Sequence, residues 1–323
     1  MQKLHSFDSP AAVRDALAKG KLAGVILWRG ASYFDDSPVV YVATKFRDDS
    51  ANEKTGGMVQ TFILPDPIAA GIDVDAKRPA KIVAWLKATG AKSICGDCPH
   101  AWQYDESTGQ YGKGTCYVRE YQAPAAVLGA IARRITGESD SYAVAGVDFP
   151  ESWIPELGRG RDVRLGSYGD PAAVPAAVSI DFVKHAAGRT GYTHFWKSAN
   201  ARARSNALAL SNIVMASADS PIDVERARAL GYRAFFVVPH GSIGEGRDVI
   251  SNARKLGATL CPASKEFEIA TGRRTNCQAC GICSGATGKG ANARDVLIPD
   301  HSATKGVACP AVAGMLSRLA IPA

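Results

Sequence analysis

Apolar and polar positions alternate in a regular way along the second half of the chain. From Arg161 onward, short apolar runs are followed by stretches whose apolar residues recur at helical spacing. The runs are VRLGSYGD, GYTHFW, NIVMASADS, RAFFVVPHG, ATLCPAS and DVLIPDHS, and the earlier run AKSIC brings the number to seven. Strands that alternate with short helices predict an α/β protein with a parallel sheet. Seven such strands favour a TIM-like (βα) barrel, complete or partial, over a doubly wound sheet.

The first 75 residues have a different pattern. A short helix from Ala11 to Lys19 precedes three runs rich in β-branched and aromatic residues, GVILWRG, PVVYVATKF and MVQTFILPD. We therefore predict an N-terminal β-rich layer over residues 1–75 and the barrel over residues 76–323. The barrel segment includes a C-terminal cysteine-rich metal loop at residues 261–290.

A polar loop joins the second and third of the N-terminal runs. It contains Asn52, Lys54, Thr55 and the Gly56-Gly57 pair. Successive backbone N–H groups in such a loop can bind an anion, which makes Asn52 and Lys54 candidate substrate-binding residues. A solvated hairpin loop explains the same composition.

The overall composition is that of a globular protein, with 46% hydrophobic and 21% charged residues. No apolar run reaches the roughly 18 residues that a membrane helix needs, so no membrane partner is expected. The N-terminus lacks a signal pattern, which favours a cytoplasmic location and metal binding rather than disulfides for the eight cysteines. The net charge of +7 favours an anionic partner, such as a nucleotide or nucleic acid.

Four of the cysteines have the spacing of metal ligands. Cys277, Cys280 and Cys283 form a C-x2-C-x2-C run, and Cys261 precedes it with fifteen residues between. This arrangement of three ligands and one favours a [4Fe–4S] cluster. A zinc site is the alternative, although structural zinc ligands usually come as two separated pairs.

Three further cysteines form a second candidate site. Cys95 and Cys98 are a C-x2-C pair, and Cys116 follows after seventeen residues. Three thiolates leave one metal position open for a substrate or cofactor. Cys309, His100 or another residue can instead close the site and make it structural.

Polar residues follow nearly every predicted strand. Because the carboxyl ends of parallel strands meet at one face, we expect these side chains to share one site. They are Cys95, Asp170, His194, Ser217 with Asp219, His240, Cys261 with Ser264, and Asp300 with His301.

The barrel half resembles the radical S-adenosylmethionine (SAM) enzymes. The features that carry the resemblance are a cysteine cluster after an early predicted strand, an aromatic after its last cysteine (Cys116-Tyr117), the strand VRLGSYGD and the GYTH strand. The usual C-x3-C-x2-C motif is replaced here by C-x2-C-x17-C. The segments SANEKTGGMVQ, CGDCPH, CYV, RLGSYGDP, GYTH, MASADS and CPAS with the later C-x2-C-x2-C run carry a second resemblance. On these segments the chain is similar, nearly end to end, to a set of proteins carried by bacteriophages and plasmids, which would imply a host cytoplasm.

The radical SAM resemblance implies roles for several residues. Cys95, Cys98 and Cys116 would hold a cluster whose open iron chelates SAM, with Asp170 and Ser217 as cofactor contacts. The second cysteine group would hold an auxiliary cluster. His194 and Lys197 would handle a proton or an anionic group, and Asp219 and His240 are further catalytic candidates.

These features predict an iron–sulfur enzyme that modifies a nucleotide or nucleic-acid base by radical or redox chemistry. Trp102, Tyr192 and Trp196 are the candidates to stack on such a base. Two other classes explain parts of the pattern. One is a nucleic-acid-binding protein with structural zinc or iron–sulfur sites, and the other is a metal-stapled barrel transferase or hydrolase, such as a base-exchanging transglycosylase.

Overall fold

The hydrophobic runs assemble into one large mixed sheet. A computed structural model describes residues 1–47, 53–69, 91–101, 104–105, 110–111, 116 and 118–300. The strands in these ranges are β1 (Gly24–Ala31), β2 (Pro38–Thr44), β3 (Val59–Pro65), β4 (Tyr104–Asp105), β5 (Gln110–Tyr111), β6 (Tyr142–Val144), β7 (Asp162–Tyr168), β8 (Gly188–Thr193), β9 (Met215–Ala218), β10 (Ala234–Val238), β11 (Ala258–Leu260) and β12 (Asp295–Pro299).

The helices of the same ranges are mostly short. They are α1 (Pro10–Ala18), α2 (Ala91–Cys95), α3 (Ala123–Thr136), α4 (Ile154–Leu157), α5 (Ala176–Val183), α6 (Ala201–Leu208), α7 (Pro221–Ala229), α8 (Asp248–Lys255), α9 (Lys265–Thr271) and α10 (Cys277–Cys280).

Local sequence sets the ends of several helices. Ser9 and Ser220 cap α1 and α7, because each hydroxyl oxygen accepts the backbone N–H three residues further on and a proline occupies the next position. Gly137 ends α3 with a φ of 85°, a left-handed conformation that glycine adopts at little cost. These signals fix where a helix begins or ends, but they do not decide how it packs.

Ten strands form the sheet, in the order β11-β12-β10-β9-β8-β7-β3-β2-β1-β6, and β4 and β5 form a separate hairpin. Strands β7 to β12 are parallel to their neighbours, and only β2 runs antiparallel to the strands on either side of it. β3 pairs with β7 in parallel, so the N-terminal strands continue the same sheet. In the described ranges no ladder joins the edge strands β11 and β6, and the sheet is open there.

The predicted α/β class with a mostly parallel sheet is confirmed, but one predicted strand is wrong. Residues Ala91–Cys95, expected to form the first strand of the repeat, form helix α2. This segment offers a single buried branched residue, Ile94, between polar neighbours, and the Gly96 N–H closes a helical turn by donating to the Lys92 carbonyl at 2.8 Å. Helix α3 and strand β6 were not predicted from the sequence pattern.

Some predicted features lie outside the described residues. They are Asn52, Trp102, His301 and Cys309. Among the described residues, no helix is both long enough and apolar enough to cross a membrane.

Candidate functional site

A cavity lies at the carboxyl ends of the parallel strands, and it brings together residues from distant parts of the chain. Five cysteines line it, three from the first group and two from the second: Cys95, Cys98, Cys116, Cys261 and Cys277. The other polar and charged residues of the lining are Lys54, His100, Arg164, Ser167, Tyr168, Asp170, Tyr192, His194, Ser217 and Asp300. The expectation that strand-end residues share one site therefore holds for Asp170, His194, Ser217, Cys261 and Asp300, and Cys95 joins them from the end of helix α2.

The thiols of the first group lie close enough to influence one another. Burial raises the pKa of the Cys95 thiol well above its ordinary value, and the charges of Cys98 and Cys116 raise it further. Burial also raises the pKa of Cys116 to about 12, with a contribution from Cys98. A bound cation removes this penalty, because metal binding stabilises the thiolate form. Without a cation beside them, burial and mutual repulsion favour the neutral thiol form of Cys95 and Cys116.

The second group behaves in the same way. Burial raises the pKa of Cys261 to about 12, and Cys277 and Cys280 add to this while the Lys54 ammonium opposes it. Burial raises the pKa of Cys283 even further, and the charge of Cys261 contributes. The thiols of the second group therefore influence one another's pKa, and the Lys54 ammonium favours the thiolate form of Cys261.

The cysteine-rich loop is held against the N-terminal loop. Asn276 caps α10 by accepting the Ala279 N–H at 2.9 Å. The side chain of Gln278 accepts the Gly57 N–H at 2.8 Å and donates to Asp162 at 3.0 Å. The Gly57 N–H was predicted to be able to bind an anion, but it donates to Gln278 instead.

The Lys54 carbonyl also belongs to this junction. It accepts the Cys277 N–H at 2.8 Å, while the Lys54 side chain lines the cavity. An ion pair between Glu53 and Arg274 adds a further contact between the two loops. The loop after β2 therefore supports the second cysteine group and contributes a cation to the cavity wall.

Asp170 lines the cavity, and its carboxylate also organises the backbone around it. Its carboxylate accepts four hydrogen bonds, from the Thr193 hydroxyl at 2.7 Å and from the backbone N–H groups of Ala172, His194 and Phe195 at 2.9, 2.6 and 3.3 Å. Burial nevertheless raises the pKa of the carboxyl. Because its oxygens are occupied by the protein, Asp170 holds the turn after β8 and thereby positions His194.

Asp219 is the centre of a charged network beside the first cysteine group. One of its oxygens lies 2.9 Å from His100 Nε2 and 3.3 Å from His194 Nε2. The other accepts from Lys197 Nζ at 2.6 Å, and Lys197 also bonds Asp223 at 2.7 Å. Lys197 is therefore engaged by two carboxylates, and it is not among the residues that line the cavity.

These contacts determine the charges of the network. Burial by itself raises the pKa of Asp219, but hydrogen bonds from His100 and His194 reverse this and hold the pKa far below its ordinary value. Burial lowers the pKa of His194, and the charge of Cys98, a hydrogen bond with Cys98 and the contact with Asp219 raise it well above the ordinary value. In the described part of the chain, His100, His194 and Asp219 are the one set of three His, Cys, Asp or Glu residues whose ligand atoms all lie within 4.8 Å of one another.

Of the predicted stacking residues that the structure describes, Tyr192 lines the cavity and Trp196 does not. Tyr192 lines the cavity, and its ring lies 4.3 Å from that of Phe235. Trp196 is buried at 2% exposure and donates its indole N–H to the Ser217 carbonyl, so it packs in the core instead of facing the cavity. His240 is exposed and is also outside the cavity lining.

Two charged residues near the cavity were missed by the sequence analysis. Arg164 is a buried residue of β7 whose guanidinium lies 5.2 Å from the centre of the Tyr192 ring. Glu120 is buried near the first cysteine group, where its charge raises the pKa of Cys95 and Cys116. A charged residue inside an apolar strand was a usable signal for Arg164, since such residues are rarely buried without a function or partner.

The chain matches no protein-family model, and no curated protein or solved structure has significant similarity to it.

Proposed function

We propose that the protein is an iron–sulfur enzyme whose reaction takes place in the cavity at the carboxyl ends of the parallel strands. The observation that carries the proposal is that cysteines of both groups line this one cavity, although they come from widely separated parts of the chain. Free cysteines with only a packing role have no reason to collect from such distant segments at one cavity. A partial barrel, in which the open sheet curves around the cavity, is the architecture that goes with this proposal.

The two cysteine groups would each bind a cluster, and the two clusters would have different functions. Cys95, Cys98 and Cys116 would hold one [4Fe–4S] cluster with a position open to the cavity, where SAM is the cofactor that the resemblance suggests. Cys261, Cys277, Cys280 and Cys283 would hold a second cluster with four protein ligands. When bound, the clusters supply electron transfer, and the open position supplies a point of attachment for a cofactor or substrate.

The sequence spacing supports a cluster over a single zinc ion. Structural zinc ligands usually come as two separated pairs. Here Cys261 stands apart from the C-x2-C-x2-C run of Cys277, Cys280 and Cys283, a division into one ligand and three that suits a cluster.

Metal analysis of cysteine variants tests the proposal. We expect the anaerobically purified protein to be brown and to contain iron and sulfide for two clusters. Cys98→Ser and Cys277→Ser should each lose the iron of one cluster, and Cys277→Ser should also destabilise the C-terminal third, because ligand binding at a structural site contributes directly to folding. The measurements are iron and sulfide content and the electron paramagnetic resonance spectrum of the reduced protein.

The variant Cys309→Ser tests whether Cys309 is the fourth ligand of the cluster held by Cys95, Cys98 and Cys116. If Cys309 is not a ligand, this variant keeps its full iron content and SAM alters the spectrum of the first cluster. A colourless preparation that contains zinc would contradict the proposal. It would favour the nucleic-acid-binding protein or the metal-stapled transferase or hydrolase.

We further propose that the substrate is a nucleotide or a nucleic-acid base. The net charge of +7 agrees with an anionic substrate, and both Lys54 and Arg164 line the cavity together with the aromatic ring of Tyr192. Cationic groups beside an aromatic surface are the features that bind a phosphate and stack on a base. A base within a duplex would have to be flipped out to reach such a cavity, so single strands or free nucleotides are the preferred forms.

Binding measurements at two salt concentrations test this part. We expect affinity for single-stranded DNA, RNA or a mononucleotide to fall with salt, since neutralising phosphates releases counterions. Lys54→Ala should weaken binding and lower the slope of log affinity against log salt by about 1. Lys21 is exposed, so Lys21→Ala is the matched control. It should leave the affinity and the salt dependence unchanged. Absence of binding to all three ligands would exclude this substrate class while leaving the iron content as an independent result.

A further inference from the structure

The polar network around Asp219 has the composition of a metal site that contains no cysteine. His100 Nε2, His194 Nε2 and one carboxylate oxygen of Asp219 all lie within 4.8 Å of one another. The two imidazole nitrogens are 2.9 and 3.3 Å from that oxygen. A zinc-like ion binds nitrogen and oxygen at about 2.0–2.2 Å, which places neighbouring ligand atoms roughly 3–3.5 Å apart. Both distances from an imidazole nitrogen to the carboxylate oxygen therefore already match the separation that one shared ion requires.

Neighbouring residues hold Asp219 and His194 in place through hydrogen bonds. Lys197 and Asp223 fix the orientation of Asp219, because Lys197 donates to its second oxygen at 2.6 Å and the Asp219 N–H donates to Asp223 at 3.2 Å. The Asp170 carboxylate accepts the backbone N–H of His194 at 2.6 Å and so positions the second imidazole. Outer contacts of this kind are what orients the ligands of functional metal sites.

The site is buried on one side and accessible on the other. Asp219 is 3% exposed, whereas His100 and His194 both line the cavity. Three protein ligands with a free direction towards a cavity are typical of catalytic rather than structural metal sites. Two histidines and one carboxylate suit zinc or ferrous iron, and they differ from the thiolates of the cysteine groups.

We propose that His100, His194 and Asp219 bind a single divalent transition-metal ion whose open coordination position faces the cavity. In this position the ion can act as a Lewis acid on a substrate oxygen or lower the pKa of a bound water. The proposal does not require that the cysteines bind iron. It adds a mononuclear centre to the wall that carries the first cysteine group.

Cobalt binding to the full-length protein tests the site. Co²⁺ bound by nitrogen and oxygen gives weak visible bands, whereas cysteine ligation adds intense thiolate-to-metal absorption in the near ultraviolet. After dialysis of the purified protein against Co²⁺, we expect one cobalt ion per chain with the visible bands in addition to any metal on the cysteines. His100→Gln and Asp219→Asn should each lose this ion while the iron content and thiolate absorption stay at the wild-type level.

His185→Gln is the matched control, since this histidine lies away from the cavity and should retain the cobalt ion. His100 is the preferred position because it lies on a loop after α2, and a circular dichroism spectrum checks that its variant is folded. Equal cobalt content in wild type, His100→Gln and Asp219→Asn would overturn the proposal and leave a hydrogen-bond network only. Loss of cobalt together with thiolate absorption would also overturn it, because His100 would then belong to the cysteine site.

Discussion

Replacing Arg134 with methionine is expected to lower the free energy of unfolding by about 3–5 kcal/mol, the usual cost of removing one partner from a buried ion pair. Arg134 and Asp148 are both fully buried, and Arg134 donates to the Asp148 carboxylate at 2.7 Å. Without Arg134, the aspartate charge stays in the interior with no cation beside it. Urea unfolding of the variant measures the effect.

The pair also connects three parts of the chain. Asp148 accepts the N–H groups of Leu4, His5 and Val144 at 3.0, 3.0 and 2.8 Å, and Arg134 donates to the Tyr142 carbonyl at 2.7 Å. It therefore joins the N-terminal segment, helix α3 and edge strand β6. We expect the loss of Arg134 to release the N-terminal segment and the edge of the sheet first.

The neighbouring Arg133 provides the control, because it is exposed on the same helix. Arg133→Met should change the free energy of unfolding by no more than about 0.5 kcal/mol. The double variant Arg134→Met with Asp148→Asn should recover part of the lost stability, since no buried charge then remains unpaired. Similar destabilisation by Arg133→Met and Arg134→Met would contradict the assignment.

The same pair predicts a dependence of stability on pH. Burial raises the pKa of Asp148, but the N–H groups of His5 and Leu4 together with Arg134 reverse this and lower it below the ordinary value. A lowered pKa in the folded state means that the carboxylate contributes stability above the ordinary pKa of about 4 and loses that contribution as the pH falls through the folded value. Stability of the wild type should therefore fall more steeply below pH 4 than that of Asp148→Asn.

Replacing Asp170 with alanine is expected to have the second large effect. Four donors around this buried carboxylate would lose their acceptor, and each buried donor left without a partner costs roughly 1–3 kcal/mol. We expect the free energy of unfolding to fall by about 3 kcal/mol or more. Because His194 is held through its backbone N–H, the variant should also lose the cobalt ion proposed for the His100–His194–Asp219 site.

Two measurements check this prediction. Denaturant unfolding gives the loss of stability, and cobalt analysis of the folded variant reports the position of His194. Asp181→Ala is the control, because Asp181 is an exposed aspartate on the nearby helix α5. Normal stability of Asp170→Ala would mean that the turn after β8 is held by other contacts.

The fold class was accessible from the sequence where the pattern is local and long enough. Each of the six runs after Arg161 is an apolar segment ended by a turn, and each forms a strand of the parallel sheet. The strand predicted around Ile94 was wrong, because this segment forms a helix. Five residues with one branched side chain show too little periodicity to distinguish a strand from a helical turn. The sequence also did not predict that β1 to β3 continue the sheet beside β7. Which strands become neighbours depends on packing between segments that are far apart in the sequence.

The sequence by itself determined the C-x2-C spacing within each cysteine group, because that spacing is a local property of the chain. It also determined that polar residues follow the strands and would meet at one edge of the sheet. Only the tertiary structure decided that both cysteine groups face the same cavity, that Arg164 joins them, and that Trp196 and His240 do not. It alone brought His100 to Asp219, 119 residues away along the chain. The physical reason is that spacing constrains which atoms can reach one another locally, whereas contacts across such distances depend on how the whole sheet and its loops pack.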